Sequence, residues 1–244
     1  PRLAFTAIIT SMTSPSVIPM TRIPGLSDLR LWQLISPTLP VGGYSYSQGL
    51  ECAVQMDWVT DEEDLSDWLT GYAEHSLCGL ELPLLLRVHG AAVAADPGAV
   101  SHWGALLASA RETSELRRED HDMAMALCRL LRTLAPDFSP PAGAAANSYI
   151  AVFAAICAHW TIPARAAAAG YVWSWAENMV AAATRLMPLG QSAAQRVLFE
   201  LGAKCGAWIA QAESLSDENI GFSGPGFTIA SACHETQYSR LFRS

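Results

Sequence analysis

Positive charge is scarce in this chain of 244 residues, and the shortage excludes one large class of functions. Fifteen basic residues stand against 23 acidic residues, Lys204 is the only lysine, and the formal net charge is −8. A protein that binds nucleic acid needs a cationic face for the phosphates. The composition therefore predicts that nucleic acid is not a partner.

Three common catalytic motifs are missing. A P-loop ends in Lys followed by Ser or Thr, and Gly42-Gly43 has no such lysine after it. A nucleophile elbow needs G-x-S-x-G, whereas the segment 221–225 ends in proline. His234-Glu235 begins like a zinc-protease motif, but Tyr238 stands where the second histidine must be. We therefore expect no catalytic residues of these three classes.

The cysteines lack the C-x-x-C spacing of a redox or zinc motif. They stand at positions 52, 78, 128, 157, 205 and 233, mostly inside apolar helical patterns. Such cysteines are typical of reduced core thiols in a cytoplasmic protein. We therefore predict neither disulfides nor a resident metal or other cofactor.

Long apolar runs are absent as well. No stretch reaches the ~18 continuous apolar residues that a membrane-spanning helix needs. Even the segment 138–176, whose only formal charge is Arg165, is interrupted by polar residues. We interpret this segment as a pair of buried central helices and predict no membrane association.

Strict alternation of apolar and polar residues, which a half-buried strand requires, is not found either. Apolar residues make up 51% of the chain, and they recur at steps of three and four residues along almost its whole length. We therefore predict an all-α fold, a single-domain bundle of roughly eight to ten helices.

Caps and prolines predict where the helices begin and end. A first helix is expected from Ser27 or Asp28 and a second from about Ser45 to Met56. A third is expected to begin at Asp61 and to be bent or divided at Pro83. Other helices are expected to begin at or close to Asp96, Thr113, Ala145, Pro163, Gln191 and the glycine-rich segment 221–226.

Two segments outside the helices bear on domain organisation. Residues 1–26 are expected to be a disordered leader, with Met12 or Met20 as a candidate natural start. Residues 27–244 are expected to form one all-helical domain. Its longest predicted loop, 135–146, is rich in Pro, Gly and Ala, but nothing beside it marks a separate domain.

The best catalytic alternative is the His121-Asp122 dyad, because all-helical metal-dependent phosphohydrolases bind metals through such a pair. Its candidate partner ligands are His75, His89, His102 and Asp137. The dyad lies within the charged block 117–122, and alternating charges of this kind more often form a solvated helix face. We keep an HD-type phosphohydrolase as the second hypothesis.

The block 111–117 permits two interpretations. Locally, Thr113 or Ser114 can cap a helix while Glu112, Glu115 and the arginines form surface pairs. Functionally, the same charged groups beside a tyrosine loop suit a polar protein interface.

Two segments have the composition of a protein contact surface. In the loop 36–51, prolines and adjacent glycines shape a backbone that is expected to present Tyr44 and Tyr46. In the tail 238–243, aromatic and aliphatic anchors alternate with arginines, as at many interfaces. The alternative for the tail is an end that folds back on its own domain.

The same segments resemble the UreF family of urease accessory proteins. The resemblance covers about 29–244, and four segments carry it in the expected order. They are LPVGGYSYSQGLE at 39–51, ETSELR at 112–117, MPLGQ at 187–191 and QYSRLFRS at 237–244.

The resemblance implies a dimeric, all-helical adaptor without catalytic activity of its own. In this family UreF joins UreD, also called UreH, and the complex recruits the GTPase UreG, which carries nickel to the urease apoprotein. Nickel would at most be in transit, because the soft-ligand cluster of a storage site is absent from the sequence.

By position, the resemblance makes Tyr44 and Arg240 the leading candidates for partner-contact or conformational roles. The other candidates are Glu51, Glu115, Arg117, Gln191, Tyr238, Leu241, Phe242 and Arg243. We further expect UreD binding to order the tail through Leu241 and Phe242 and to complete a surface for UreG. Assembly would then be sequential, because folding of the tail is coupled to binding.

Overall fold

A computed structural model describes residues 25–221 and 223–244, and within these ranges the regular elements are all helical. The α-helices are α1 Leu26–Leu34, α2 Leu50–Gln55, α3 Glu62–Tyr72, α4 Leu82–Val93, α5 Pro97–Ser109, α6 Ser114–Leu134, α7 Tyr149–His159, α8 Ala164–Leu186, α9 Gln191–Ser214 and α10 Pro225–His234. The π-helical segment Ala73–Glu81 makes α3 and α4 one continuous helix, so the described ranges contain nine separate helices. The predicted all-α bundle is confirmed.

The predicted helix starts follow the capping residues. Asp61, Asp96 and Thr113 each accept a hydrogen bond from a backbone N–H of the first turn of the helix that follows. Such caps satisfy amides that have no partner inside the helix. Helix α1 begins at Leu26, one residue before the predicted start at Ser27. The expected leader otherwise falls on residues 1–24, which lie outside the described residues.

The second helix starts later than predicted. After a short 3₁₀ turn at Gly43–Ser45, Gln48 and Gly49 adopt φ values of 52° and 84°, so α2 begins only at Leu50. A Cβ on Gly49 would lie 2.8 Å from the backbone nitrogen of Ser231. Glycine is therefore required twice here, for the left-handed backbone and for the close approach of α2 to α10.

Pro83 does not divide its helix, which was one of the two predicted outcomes. The helix continues through it, and the π-helical segment lies immediately before it. Proline has no N–H to donate to the carbonyl four residues earlier, at Gly79. That carbonyl accepts a hydrogen bond from the Gly221 amide at 3.0 Å instead, which ties the connection between α9 and α10 to this helix.

The core is formed around α7, whose residues 149–157 are all buried, and α4 packs along it. The helix Glu62–Val93 is long and apolar enough to cross a membrane, but 61% of its apolar window is buried inside the fold. It also carries the buried Glu81 and His89. These are features of a core helix.

The six cysteines are free, and four of them are buried, as predicted for core thiols.

Candidate functional site

The glycine loop presents one of its two tyrosines. Gly42, with φ 82°, leads into the 3₁₀ turn, and Tyr44 is 68% exposed. Tyr46 is buried, contrary to the expectation that both rings face outward. Burial, together with the charge of Asp122, raises the pKa of the Tyr46 hydroxyl, and a hydrogen bond with Arg243 opposes the shift.

The tail folds back onto this loop. The Arg243 amide donates to the Ser45 carbonyl at 2.9 Å, and the Ser47 amide donates to the Ser244 carbonyl at 2.8 Å. The Phe242 ring is buried in the core, with the Arg185 guanidinium 4.8 Å above it. The alternative of a tail folded on its own domain is therefore observed. The expectation that a partner orders the tail is wrong for this conformation.

Four ionisable residues fix the tail, and we call Glu51, Glu115, His234 and Arg240 the tail clamp. The two Glu51 oxygens accept the amides of Leu241 at 2.6 Å and Phe242 at 2.8 Å. His234, fully buried, lies between the two carboxylates, with Nδ1 2.6 Å from Glu115 and Nε2 3.2 Å from Glu51. Arg240 pairs with the other Glu115 oxygen.

Sequence reasoning identified three members of the tail clamp and missed His234. It considered this histidine only as part of a zinc-protease motif. A single buried histidine has no distinctive spacing, so only the two carboxylates on α2 and α6 reveal its role.

A second buried carboxylate contacts the tail beside the clamp. Glu119 accepts from Gln48 Nε2 and from the Ser244 hydroxyl, each at 2.7 Å. Burial raises the pKa of Glu119 to about 7, against the opposing effect of these hydrogen bonds. Asp120, the next residue, is buried as well. The predicted solvated face of block 117–122 is therefore wrong at its centre.

The surface-pair interpretation of block 111–117 is also wrong at its first residue. Arg111 is buried, its Nη1 lies 2.6 Å from Glu81 Oε1, and its Nε lies 3.6 Å from Asp120 Oδ2. Tyr171 donates its hydroxyl to the other Glu81 oxygen at 2.6 Å. Burial and then the charge of Glu81 raise the pKa of Tyr171, so this hydroxyl stays protonated.

A groove of about 670 Å³ runs between the start of α6 and the docked tail. Three arginines and three acidic side chains line it, so it offers pairing groups of both signs. They are Arg118, Arg240, Arg243, Glu115, Asp122 and Glu235. Leu241 lines the groove and is 55% exposed, while Tyr238 is fully exposed nearby in the chain.

The structure brings most of the predicted site residues together. Glu51, Glu115, Arg240, Leu241, Phe242 and Arg243 all belong to the docked tail and its partners. Tyr44 joins them through Arg185, whose Nη1 lies 3.4 Å from the Tyr44 carbonyl oxygen. Arg117 is exposed on α6 and donates to the Arg111 carbonyl at 2.9 Å, and Gln191 is the exposed first residue of α9.

The His121-Asp122 dyad gathers no ligand set. His121 Nδ1 lies 3.0 Å from the amide oxygen of Asn147, and His89 is held by the Ile162 carbonyl. Asp137 pairs with His159 instead. Across residues 25–221 and 223–244, no three His, Cys, Asp or Glu side chains are arranged to hold a metal ion. The phosphohydrolase alternative is therefore not favoured.

Comparison with known proteins agrees with the resemblance in the sequence. A family model described as UreF matches residues 59–202. A urease accessory protein UreF from Alkalilimnicola ehrlichii is 47% identical over 222 residues, covering 91% of this chain and 97% of its own. Similar proteins of the same name come from Hahella chejuensis, at 43% identity over 91% of this chain and 100% of that protein, and Chromohalobacter salexigens, at 41% over 94% and 100%.

Proposed function

Since this chain belongs to the UreF family of urease accessory proteins, we propose that it acts as an adaptor in urease maturation, binding UreD (UreH) and recruiting the GTPase UreG to the urease apoprotein. The adaptor works by presenting a shaped surface and has no catalytic step of its own. It works in the cytoplasm, and nickel passes through the assembled complex without a resident site in this chain.

One observation carries the proposal: the docked tail leaves Tyr238 and Leu241 exposed, with Leu241 lining the groove, while Glu51 and His234 of the tail clamp are buried. An exposed aromatic and an exposed aliphatic side chain on a rigid support lose little entropy on binding, which makes them suitable anchors. Arginines around the groove add directional pairing for acidic side chains of a partner. We assign this surface to UreD.

Replacing both anchors, as Tyr238→Ser with Leu241→Ser, should weaken capture of UreD about tenfold, because each is an apolar contact at the centre of the proposed interface. The measurement is affinity capture of UreD from cells that co-express both chains, followed by nickel-dependent urease activation. Both side chains are exposed, so the variant should fold like the wild type.

Val93→Ser is the matched control, because Val93 is an aliphatic residue about as exposed as Leu241 but lies at the end of α4. Its capture of UreD should match the wild type. Wild-type capture by the double variant would contradict the assignment of the tail surface, whatever the result for urease activation.

We also propose that two copies of the chain associate, since a symmetric UreG dimer is most simply matched by a two-fold adaptor. Two exposed aromatic side chains on adjacent helices support a self-association face. Trp173 on α8 is 41% exposed and packs near Gly202 of α9, and Phe199, one turn before Gly202, is 81% exposed.

Light scattering should give the mass of a dimer for the wild type and of a monomer for Phe199→Ser. A monomeric wild type, alone and with UreD, would contradict the dimer.

A further inference from the structure

The protonation state of His234 follows from the geometry around it. A neutral imidazole carries one N–H and one lone pair, so it can donate only one hydrogen bond. Both ring nitrogens of His234 face carboxylate oxygens, at 2.6 Å and 3.2 Å. A neutral ring would place its lone pair against one of these oxygens. With both carboxylates ionised, only the imidazolium form, with a proton on each nitrogen, satisfies both contacts.

The charges around His234 balance only when it is protonated. Glu51 faces it from α2 and Glu115 from α6, and Arg240 of the tail pairs with Glu115. With a protonated His234, two positive charges meet two negative charges in a largely buried site. Two other groups beside it are engaged elsewhere. Glu235 accepts from the amide and hydroxyl of Ser114, and Cys233 contacts the thiol of Cys52.

The position of Glu51 connects this balance to the tail. The carboxylate that meets His234 Nε2 is the one that accepts the amides of Leu241 and Phe242. Glu115 likewise bridges His234 and Arg240. Loss of the histidine proton would therefore leave a net negative charge in a buried site and loosen both carboxylates that hold the tail.

We propose that His234 is the proton-operated latch of the tail: protonation holds residues 240–244 against α2 and α6, and loss of the proton releases them. The docked tail needs the proton on His234, because the imidazolium pairs with both carboxylates, whereas a released, solvated ring has no such requirement. Linkage then requires that a rise in pH favours release. A fall in pH favours the closed tail.

If the tail surface binds UreD, as proposed above, the latch also regulates the binding of UreD. Leu241 keeps its position only while the tail is docked. Hydrolysis of urea releases ammonia and raises the pH around an active enzyme. The adaptor would therefore lose its hold on UreD where urease already works, which is a negative feedback on maturation.

The latch is tested on the isolated full chain between pH 6 and pH 9. Nitrogen-15 NMR of labelled histidine reports the protonation of each His234 ring nitrogen directly. Hydrogen exchange, expressed as a protection factor, reports the Leu241 and Phe242 amides. We expect two protonated nitrogens and full protection at pH 6, and at least a tenfold loss of protection by pH 9. The Ile156 amide in the buried helix α7 should keep its protection throughout.

Two variants separate the latch from other titrating groups. His234→Gln should show low tail protection at pH 6 and no further loss by pH 9, whereas His159→Gln, altered outside the clamp, should behave like the wild type. Glu119 also contacts the tail through Ser244, so the pH series is repeated in Glu119→Gln, where the loss of protection should persist.

A protected tail together with a neutral His234 ring in the wild type would overturn the latch, and this result does not depend on how the variants fold. Full tail protection in His234→Gln would overturn it as well. The adaptor proposal fails separately: a latch that opens while capture of UreD at pH 9 stays at its pH 6 level would remove the tail surface from the proposed function and leave the latch intact.

Discussion

Replacing Arg111 by methionine should lower the free energy of unfolding by about 3–5 kcal/mol, the usual cost of leaving a buried charge without its partner. Glu81 is 1% exposed and Asp120 is 5% exposed, and Arg111 is the cation that both carboxylates face. Methionine has a similar length and keeps most of the packing. Guanidinium chloride unfolding followed by circular dichroism measures the loss.

Two control variants test whether the loss of stability comes from the unpaired buried charge. Adding Glu81→Gln to Arg111→Met should recover part of the loss, because the amide carries no charge and its oxygen still accepts the Tyr171 hydroxyl. Arg196→Met removes an exposed partner of Glu62 and should change stability little, as is usual for surface pairs. Wild-type stability of Arg111→Met would mean that the buried pair contributes nothing to the fold.

Contacts with α10 explain most of the polar side chains in the segment 111–117. Four consecutive side chains of this segment hold α10 or its flanks. Glu112 binds Ser223 and Thr228, Thr113 binds Ser231, Ser114 binds Glu235, and Glu115 binds His234 and Arg240. One turn of charged and hydroxylic residues at the start of α6 thus supports the tail from below, and Arg111 anchors that turn in the core.

The helices could be predicted from the sequence because their signals are local. Apolar spacing locates a buried face, and a side-chain cap such as Asp61 or Thr113 needs only the next three residues. The late start of α2 was missed because Gly49, just before it, packs against the backbone of Ser231, which lies far away in the chain. Nothing within a few residues of Gly49 shows that another backbone approaches it.

The site could be predicted only in part, because composition does not tell which surface a side chain faces. Leu241 and Phe242 have the same anchor character, yet Leu241 is half exposed and Phe242 belongs to the core. Alternating charges usually indicate a solvated face, but Glu119 points inward to a tail that is more than a hundred residues distant in the chain. Buried pairing of this kind has no local signal.

Glu119→Gln should change the pH dependence of stability by about 3 kcal/mol, since each unit of pKa difference corresponds to about 1.4 kcal/mol. Burial raises the pKa of Glu119 from 4.5 to about 7. Between these two pH values the unfolded chain loses its proton while the folded chain keeps it. The wild type therefore loses stability as the pH rises through this window, and the glutamine variant, which has no charge to bury, does not.

The measurement is the difference in unfolding free energy between the variant and the wild type, taken at pH 4.5 and at pH 7.5, because other titrating groups cancel in that difference. The difference should shift in favour of the variant by the stated amount, whereas Glu63→Gln, at an exposed position of α3, should show little difference at either pH. A constant difference for Glu119→Gln would mean that the carboxylate is solvated in the folded chain. In that case Ser244 would not be docked, because its hydroxyl covers one of the two Glu119 oxygens. The pH dependence of Glu119→Gln stability therefore tests whether the tail is docked, independently of His234.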